Sequence, residues 1–223
     1  IPRKEIGLRL YQGIKDYMTY IYNKVYVKQN GAEMQNMIIA IDCNHEKENV
    51  IKAIRDLPFQ VNIQPCFGKG YAAKDEPMMS KKFATTTTVH HHCISYYNRG
   101  FNVVETMMDI NYFKKKIHEG WKLRIGHPGS ITIYKPPEDH KTQHMITFRH
   151  MVAEDPVWDY YEKEDRGHYL WQQVKRQDNE YLDNLVGCLA MLSKLGAKWN
   201  EKIAVARPVK KMDMQEYMNK MKG

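Results

Sequence analysis

Three aspartates stand where a chain can bring charge to bear on a phosphodiester. Asp42 ends the apolar run Met37-Ile38-Ile39-Ala40-Ile41. The ends of strands in open α/β sheets are where the chain turns and side chains meet in a crevice. Asp183 lies in an amphipathic stretch from about Glu180 to Leu195, with Val186, Gly187 and Ala190 following on one face. Small residues there let a helix lie close to a sheet, so Asp183 is expected to point at the sheet rather than at water. Asp109 follows a second apolar run, Val103 to Met108. Converging carboxylates repel, and without a cation at least one is pushed towards its protonated form. A bound Mg²⁺ or Mn²⁺ resolves that conflict, because hard cations prefer carboxylate oxygen. Two such ions about 3.5–4 Å apart activate a water and stabilise the leaving oxygen of a phosphodiester. Plainer roles stand beside these. Asp42 and Asp109 each precede a helical stretch and suit a cap, and an aspartate within a helix commonly faces water.

Basic residues supply the complementary chemistry. Lys175 and Arg176 come shortly before Asp183. A cation near a metal site holds the scissile phosphate or offsets developing charge; the alternative is a solvated basic turn. Lys69, Lys74, Lys81 and Lys82 fall in a polar stretch and suit contacts to a DNA backbone, or simply a solvated loop. The triple histidine His90-His91-His92 invites a metal reading, but neighbours in a strand point to opposite faces. Only His90 and His92 would share a face, and no carboxylate completes a set by obvious spacing. Two absences exclude other chemistries. No G-x-x-x-x-G-K-S/T is present, and Cys66-Phe67-Gly68-Lys69-Gly70 does not supply it, so the chain is not itself a P-loop ATPase. No G-x-S-x-G elbow of a hydrolase is present either.

The elements that must position these groups follow from periodicity. Leu8, Leu10, Tyr11, Ile14, Met18 and Ile21 predict a helix over Glu5 to Val27, broken by Gly31. Met37 to Ile41 suits a strand covered on both faces. Asn44 is expected to cap a helix from His45 to Leu57, followed by a strand over Phe59 to Pro65. This strand–helix–strand order indicates an α/β sheet. Gly68 to Thr88 reads as a long mobile loop, Val89 to Tyr97 and Val103 to Met108 as strands, and Asn111 to Glu119 as a helix. Gly126-His127-Pro128-Gly129 is a turn, Ser130 to Tyr134 a short strand, and His140 to Ala153 a helix. Asp155 to Gln177 is rich in aromatic and charged residues, and the helix from Glu180 stops at Gly196.

The bulk numbers agree. The chain has 223 residues, 43% of them hydrophobic, enough for one domain with a core. A net charge of +8 favours a polyanionic partner, of which DNA is the commonest. No run of 18 apolar residues exists, so no membrane span is expected. The start, Ile1-Pro2-Arg3-Lys4, is not a signal peptide and lacks an initiator Met, which suggests a trimmed chain or a fragment. Cys43, Cys66, Cys93 and Cys188 form no C-x-x-C pair, so they are expected to be reduced and mostly buried rather than zinc-bound. Residues 1–199 are expected to form the domain, and 200–223 a basic tail with regular methionines.

At these residues the sequence resembles the large terminase subunits of tailed phages, in the branch typified by phage lambda. The resemblance runs from about Gly31 to Ala197. It is carried by Ala40-Ile41-Asp42 before a helix, Pro65-Cys66-Phe67-Gly68-Lys69-Gly70, Met108-Asp109-Ile110-Asn111-Tyr112-Phe113-Lys114, and Gly126-His127-Pro128-Gly129-Ser130-Ile131-Thr132. Its most specific segment is Asp178-Asn179-Glu180-Tyr181-Leu182-Asp183-Asn184-Leu185-Val186-Gly187-Cys188. The resemblance implies a ribonuclease-H-like α/β domain, a mixed sheet flanked by helices, that holds two Mg²⁺ or Mn²⁺ ions with three acids. The first acid sits on an initial strand, the second on a later central strand and the third on the last helix. Asp42 matches the second and Asp183 the third; Asp109 matches a recurrent aspartate, and Lys175 a recurrent basic position. No strand for the first acid precedes the helix at Glu5, so the fold is expected to lack or borrow its first strands. The implied activity is cutting concatemeric double-stranded DNA during packaging, in the host cytoplasm. The implied partners are the terminase ATPase domain or chain, a small terminase subunit and the portal. Two alternatives are a non-catalytic DNA-binding or assembly subunit of a split terminase, and another ribonuclease-H-like nuclease or recombinase.

Overall fold

Apolar runs assemble into one mixed sheet with helices against both faces. The computed structural model describes residues 3–27, 30–34, 38–58, 62–83, 87–133, 144–174 and 177–197. Helix α1 (Arg3–Asn23) leads into a two-stranded ribbon, β1 (Tyr26–Val27) and β2 (Glu33–Met34), with Gly31 in the left-handed region between them. Then come β3 (Ile39–Asp42), α2 (Lys47–Arg55), β4 (Ile63–Lys69), β5 (Thr88–His90), β6 (Cys93–Asn98) and β7 (Val103–Asp109). These five strands form one sheet in the order β3-β4-β7-β6-β5. β3, β4 and β7 run parallel, while β6 and β5 are antiparallel additions. Among the described residues β3 is therefore an edge strand. Helices α3 (Ile110–Lys122), α4 (Met145–Met151) and α5 (Glu180–Lys194) complete the domain, with a long hairpin, β8 (Glu154–Tyr161) and β9 (Arg166–Gln173), between α4 and α5.

The alternation of side chains divides the sheet cleanly. On one face Cys66, Cys93 and Met108 pack under Phe113 and Ile117 of α3 and under Leu182, Val186 and Ala190 of α5, with Ala40 against the same cluster. The opposite face carries Glu105, fully buried and satisfied by Lys47 of α2 at 2.8 Å and by Tyr96 and Asn98 at 2.9 Å.

Several expectations are corrected. The second strand lies later than predicted, because β4 continues through Gly68 to pair with β7 as far as Lys69 and Asp109. Gly68 is a strand residue there for a steric reason: an added Cβ would meet Ile110 Cγ2 at 2.4 Å. The following segment is not a free loop. Tyr71, Ala73 and Met78 are buried, and the β8–β9 hairpin clamps it. Asp159 accepts from the Ala73 N–H at 2.5 Å, Arg166 Nε donates to the Ala73 carbonyl at 2.7 Å, and His168 bonds the Tyr71 carbonyl. The predicted strand over Val89 to Tyr97 is two strands, with His91 and His92 in the turn between them. Residues 130–133 form no strand; Ile131 instead bonds and packs onto α3 at Gly120. The α5 boundaries and its stop, with Gly196 at φ +94°, follow the expectation closely. Cys43, Cys66 and Cys93 are buried free thiols and Cys188 is exposed. No helix among the described residues is long and apolar enough to cross a membrane. The tail from residue 200 lies outside the described residues.

Candidate active site

Asp42 is placed by the end of β3. Its Oδ1 accepts the Asn44 N–H at 2.9 Å, closing a short side-chain turn, and the residue is exposed. It does not cap α2. That helix starts at Lys47, with Glu46 in the left-handed region at φ 51° as its cap residue, and Asn44 is not its cap as expected. Burial pushes the neighbouring Cys43 thiol up to about 11, with the Asp42 charge contributing, and raises Cys66 for the same reasons. Both thiols are thus kept neutral and unreactive.

Helix α5 reaches this strand through a glycine. A Cβ on Gly187 would stand 3.9 Å from Ala40 Cβ, ordinary contact distance, so the helix lies directly on β3. Asp42 is two residues beyond Ala40 and so shares its face. One turn before Gly187 come Asp183 and Asn184. Asn184, Asp42, Ala40 and Ile41 line an open groove of about 670 Å³ whose far wall is α1, through Leu10, Ile14 and Met18 among others. Asp42 and Asn184 of α5 therefore border one groove, and Asp183 is not among its lining residues.

Asp183 itself is half exposed to water, where it was expected to be sheltered against the sheet. Its side chain is 52% exposed, and its Oδ1 lies 3.0 Å from Lys114 Nζ on α3. Its Oδ2 accepts from Asn179 Nδ2 at 2.9 Å. The opening turn of a helix favours a carboxylate, since its unpaired N–H groups carry partial positive charge. Lys114 is buried, and its principal partner is the buried Glu154, whose two oxygens accept at 2.6 and 2.7 Å. Asn179 also donates to Glu154, at 2.5 Å. Sequence reasoning gave Lys114, Glu154 and Asn179 no role. One signal was available: Lys114 sits beside Phe113 and one turn from Ile117, on the stripe of α3 that faces the core. A buried lysine requires a partner.

Asp109 stands elsewhere. Asp42 is level with Cys66, and Cys66 with Thr106. Asp109 is three residues further on and two strands across, roughly 10 Å in each direction by strand geometry. Its Oδ1 caps α3 by accepting the Tyr112 N–H at 3.1 Å, and its Oδ2 lies 3.1 Å from His92 Nδ1. His92 stacks on Tyr112 with ring centroids 3.4 Å apart, and His91 Nε2 is 2.7 Å from the Tyr112 hydroxyl. The carboxylate that sequence spacing did not reveal for the histidines is thus Asp109, brought in by the turn. Among the described residues no three His, Cys, Asp or Glu side chains gather as a ready-made metal cage.

Lys69 and Lys81 both place their ammonium groups over the Tyr71 ring, at 5.3 and 4.9 Å from its centre. Lys74 and Lys82 are exposed. Lys175 and Arg176 lie outside the described residues.

A protein-family model described as terminase large subunit gpA, endonuclease domain, matches residues 11–203. No curated protein and no solved structure is similar enough to the chain to count as a match.

Proposed function

The chain belongs to the terminase large subunit endonuclease family, and from that premise we propose that it is a Mg²⁺- or Mn²⁺-dependent enzyme that cuts concatemeric double-stranded DNA during genome packaging. A nuclease role in packaging comes with the family; the metal and the concatemer are our reading. The observation that carries it is the groove that Asp42, at the C-terminal end of a parallel strand, shares with Asn184, the α5 residue that follows Asp183. Asp42 and Asp183 would supply carboxylate oxygens, the donors hard divalent cations prefer. Ions bound there would activate a water and stabilise the leaving oxygen. The protein's own part is to hold Asp183 between Lys114 and Asn179, and to offer Lys69, Lys74, Lys81 and Lys82 to the DNA backbone. Lys175 and Arg176 are assigned to the scissile phosphate.

A ribonuclease-H-like reading expects the second acid on a central strand, whereas among the described residues Asp42 lies on an edge. A further strand added along β3 would make it internal and set a third acid beside Asp42. That edge and the apolar groove under α1 support this, because an unpaired strand edge is a ready template for another strand. That strand would come from the ATPase-bearing part of the terminase, with the small subunit and the portal as the other partners. Residues 1–199 then act as the nuclease domain and 200–223 as a basic tail. A second reading, a non-catalytic DNA-binding subunit, is favoured by the lack of three gathered acids among the described residues.

Cleavage of linear duplex concatemer with Mn²⁺ decides between them, using the chain alone and together with the ATPase-bearing part. Asp42→Asn and Asp183→Asn are each expected to cut on the order of a hundredfold more slowly. Cleavage untouched by both substitutions, or absent under every condition while DNA is still bound, overturns the nuclease reading.

A further inference from the structure

We propose that the outer face of the β8–β9 hairpin is a docking surface for an arginine-bearing segment of a protein partner. The two faces of this ribbon keep different company. Asp159, Arg166 and His168 share the face that locks onto Tyr71 and Ala73. Trp158, Tyr160 and Tyr169 alternate with them and share the other face. Near the base of the hairpin, Trp171 is taken up by α3, donating to the Asn111 carbonyl at 3.4 Å. Towards the tip the aromatic face is left open to water: Trp158 is 56%, Tyr160 50% and Tyr169 44% exposed. Trp158 and Tyr169 stand directly opposite each other on the two strands, with ring centroids 5.0 Å apart. A Cβ on Gly167 would collide with the Trp158 indole, so that ring lies over the glycine. Covering the glycine accounts for one side of the indole; more than half of the residue still faces water. The inner face anchors the ribbon, so the rings are held in place before a partner arrives and less freedom is lost on binding.

Charge says what the partner carries. Residues 154–173 hold six acidic and two basic residues, a net −4 within a chain of +8. Two of these acids are engaged inside the fold, Glu154 with Lys114 and Asp159 with the Ala73 N–H. Asp155, Glu162, Glu164 and Asp165 are exposed. Asp165 accepts from the Tyr160 hydroxyl at 2.5 Å, which sets its carboxylate at the edge of the aromatic face. Such a ribbon repels the phosphate backbone that the positive remainder of the chain attracts. It suits a cation, and of the two strongly basic side chains arginine fits better. A planar guanidinium stacks on an aromatic ring and still offers its edge to a carboxylate. Exposed tryptophan and tyrosine are also the residues from which protein interfaces draw their anchors.

The test uses fluorescein-labelled decaarginine and decalysine, with binding to the 223-residue chain read by anisotropy at about 0.15 M salt. Decaarginine is expected to bind about fivefold more tightly, because only the guanidinium gains from stacking on the two rings. Trp158→Ser is expected to bring decaarginine close to the decalysine level, with thermal denaturation as the check on folding. Should that variant fail to fold, Tyr169→Ser is expected to narrow the preference in the same way. Glu162→Gln combined with Asp165→Asn is expected to weaken both peptides by a similar factor, about threefold. Equal affinity of wild type for the two peptides overturns the proposal, as does a full preference retained without the Trp158 and Tyr169 rings. A Trp158→Ser chain that loses affinity for DNA overturns it too, since the face would then be a platform for bases. A wild-type dimer that Trp158→Ser dissolves in sedimentation also overturns it, by making a second copy of the chain the occupant.

Discussion

Gly187 of α5 rests on Ala40 of β3, which lets the helix bearing Asp183 lie directly on the strand bearing Asp42. A Cβ added at Gly187 would come no nearer than 3.9 Å to Ala40 Cβ, so alanine fits without displacement. Replacing an interior helical glycine by alanine is worth up to about 1 kcal/mol in helix propensity. Gly187→Ala is therefore expected to leave cleavage intact and raise the urea midpoint. Gly187→Leu must lift the helix off the sheet, at a cost of roughly 1–3 kcal/mol for overpacking. It is expected to lower the midpoint and also reduce cleavage, because Asp183 moves with the helix. Equal stability of the two variants would show that the helix does not depend on this contact.

Asp109 poses a sharper choice, between helix cap and metal ligand. Both its oxygens already serve α3 and His92. Asparagine retains an acceptor for the Tyr112 N–H, and asparagine and aspartate cap helices about equally well. Asp109→Asn is accordingly expected to keep near-wild-type stability and cleavage, while Asp109→Ala loses about 1 kcal/mol of stability. Denaturant unfolding and the duplex cleavage assay read the two outcomes separately. Collapse of cleavage in Asp109→Asn at unchanged stability would instead make Asp109 a metal ligand.

The pattern of success and failure in reading the sequence has a physical basis. The β3–α2–β4 order, β7, α3 and α5 were legible because each carries its own period and its own stop, such as Gly196 after α5. Gly68 misled because local preference marks glycine as a loop residue, while the fold uses it where Ile110 closes on the strand. The β8–β9 hairpin was hidden because one of its faces turns to the segment around Tyr71 and Ala73 rather than to a central core, so charges and aromatics mix along both strands. Asp42 and Asp183 could be singled out as candidates from the elements that end or begin beside them. Glu154 could not, since its link to Lys114 spans 40 residues and exists only after folding.

Acid should weaken the fold through two histidines. His118 is held below its ordinary value of 6.5, first by burial and then by Lys122, although Glu154 pulls the other way. His90 is lowered too, by burial and by Lys194. Both have a buried Nε2 with no hydrogen-bond partner among the described residues. A histidine whose folded pKa is depressed binds its proton more readily once unfolded, so the unfolded state carries more protons and stability rises with pH across that window. The contribution is complete above 6.5 and is lost as pH falls through that value towards the lower folded pKa. Urea midpoints are therefore expected to fall between about pH 7 and pH 5. His118→Phe removes one titrating group yet keeps a ring against Trp171, which His118 meets at 4.5 Å between centroids. That variant should show a flatter decline over the same range. An unchanged slope would mean that His118 takes up its proton as easily in the folded chain as in the unfolded one.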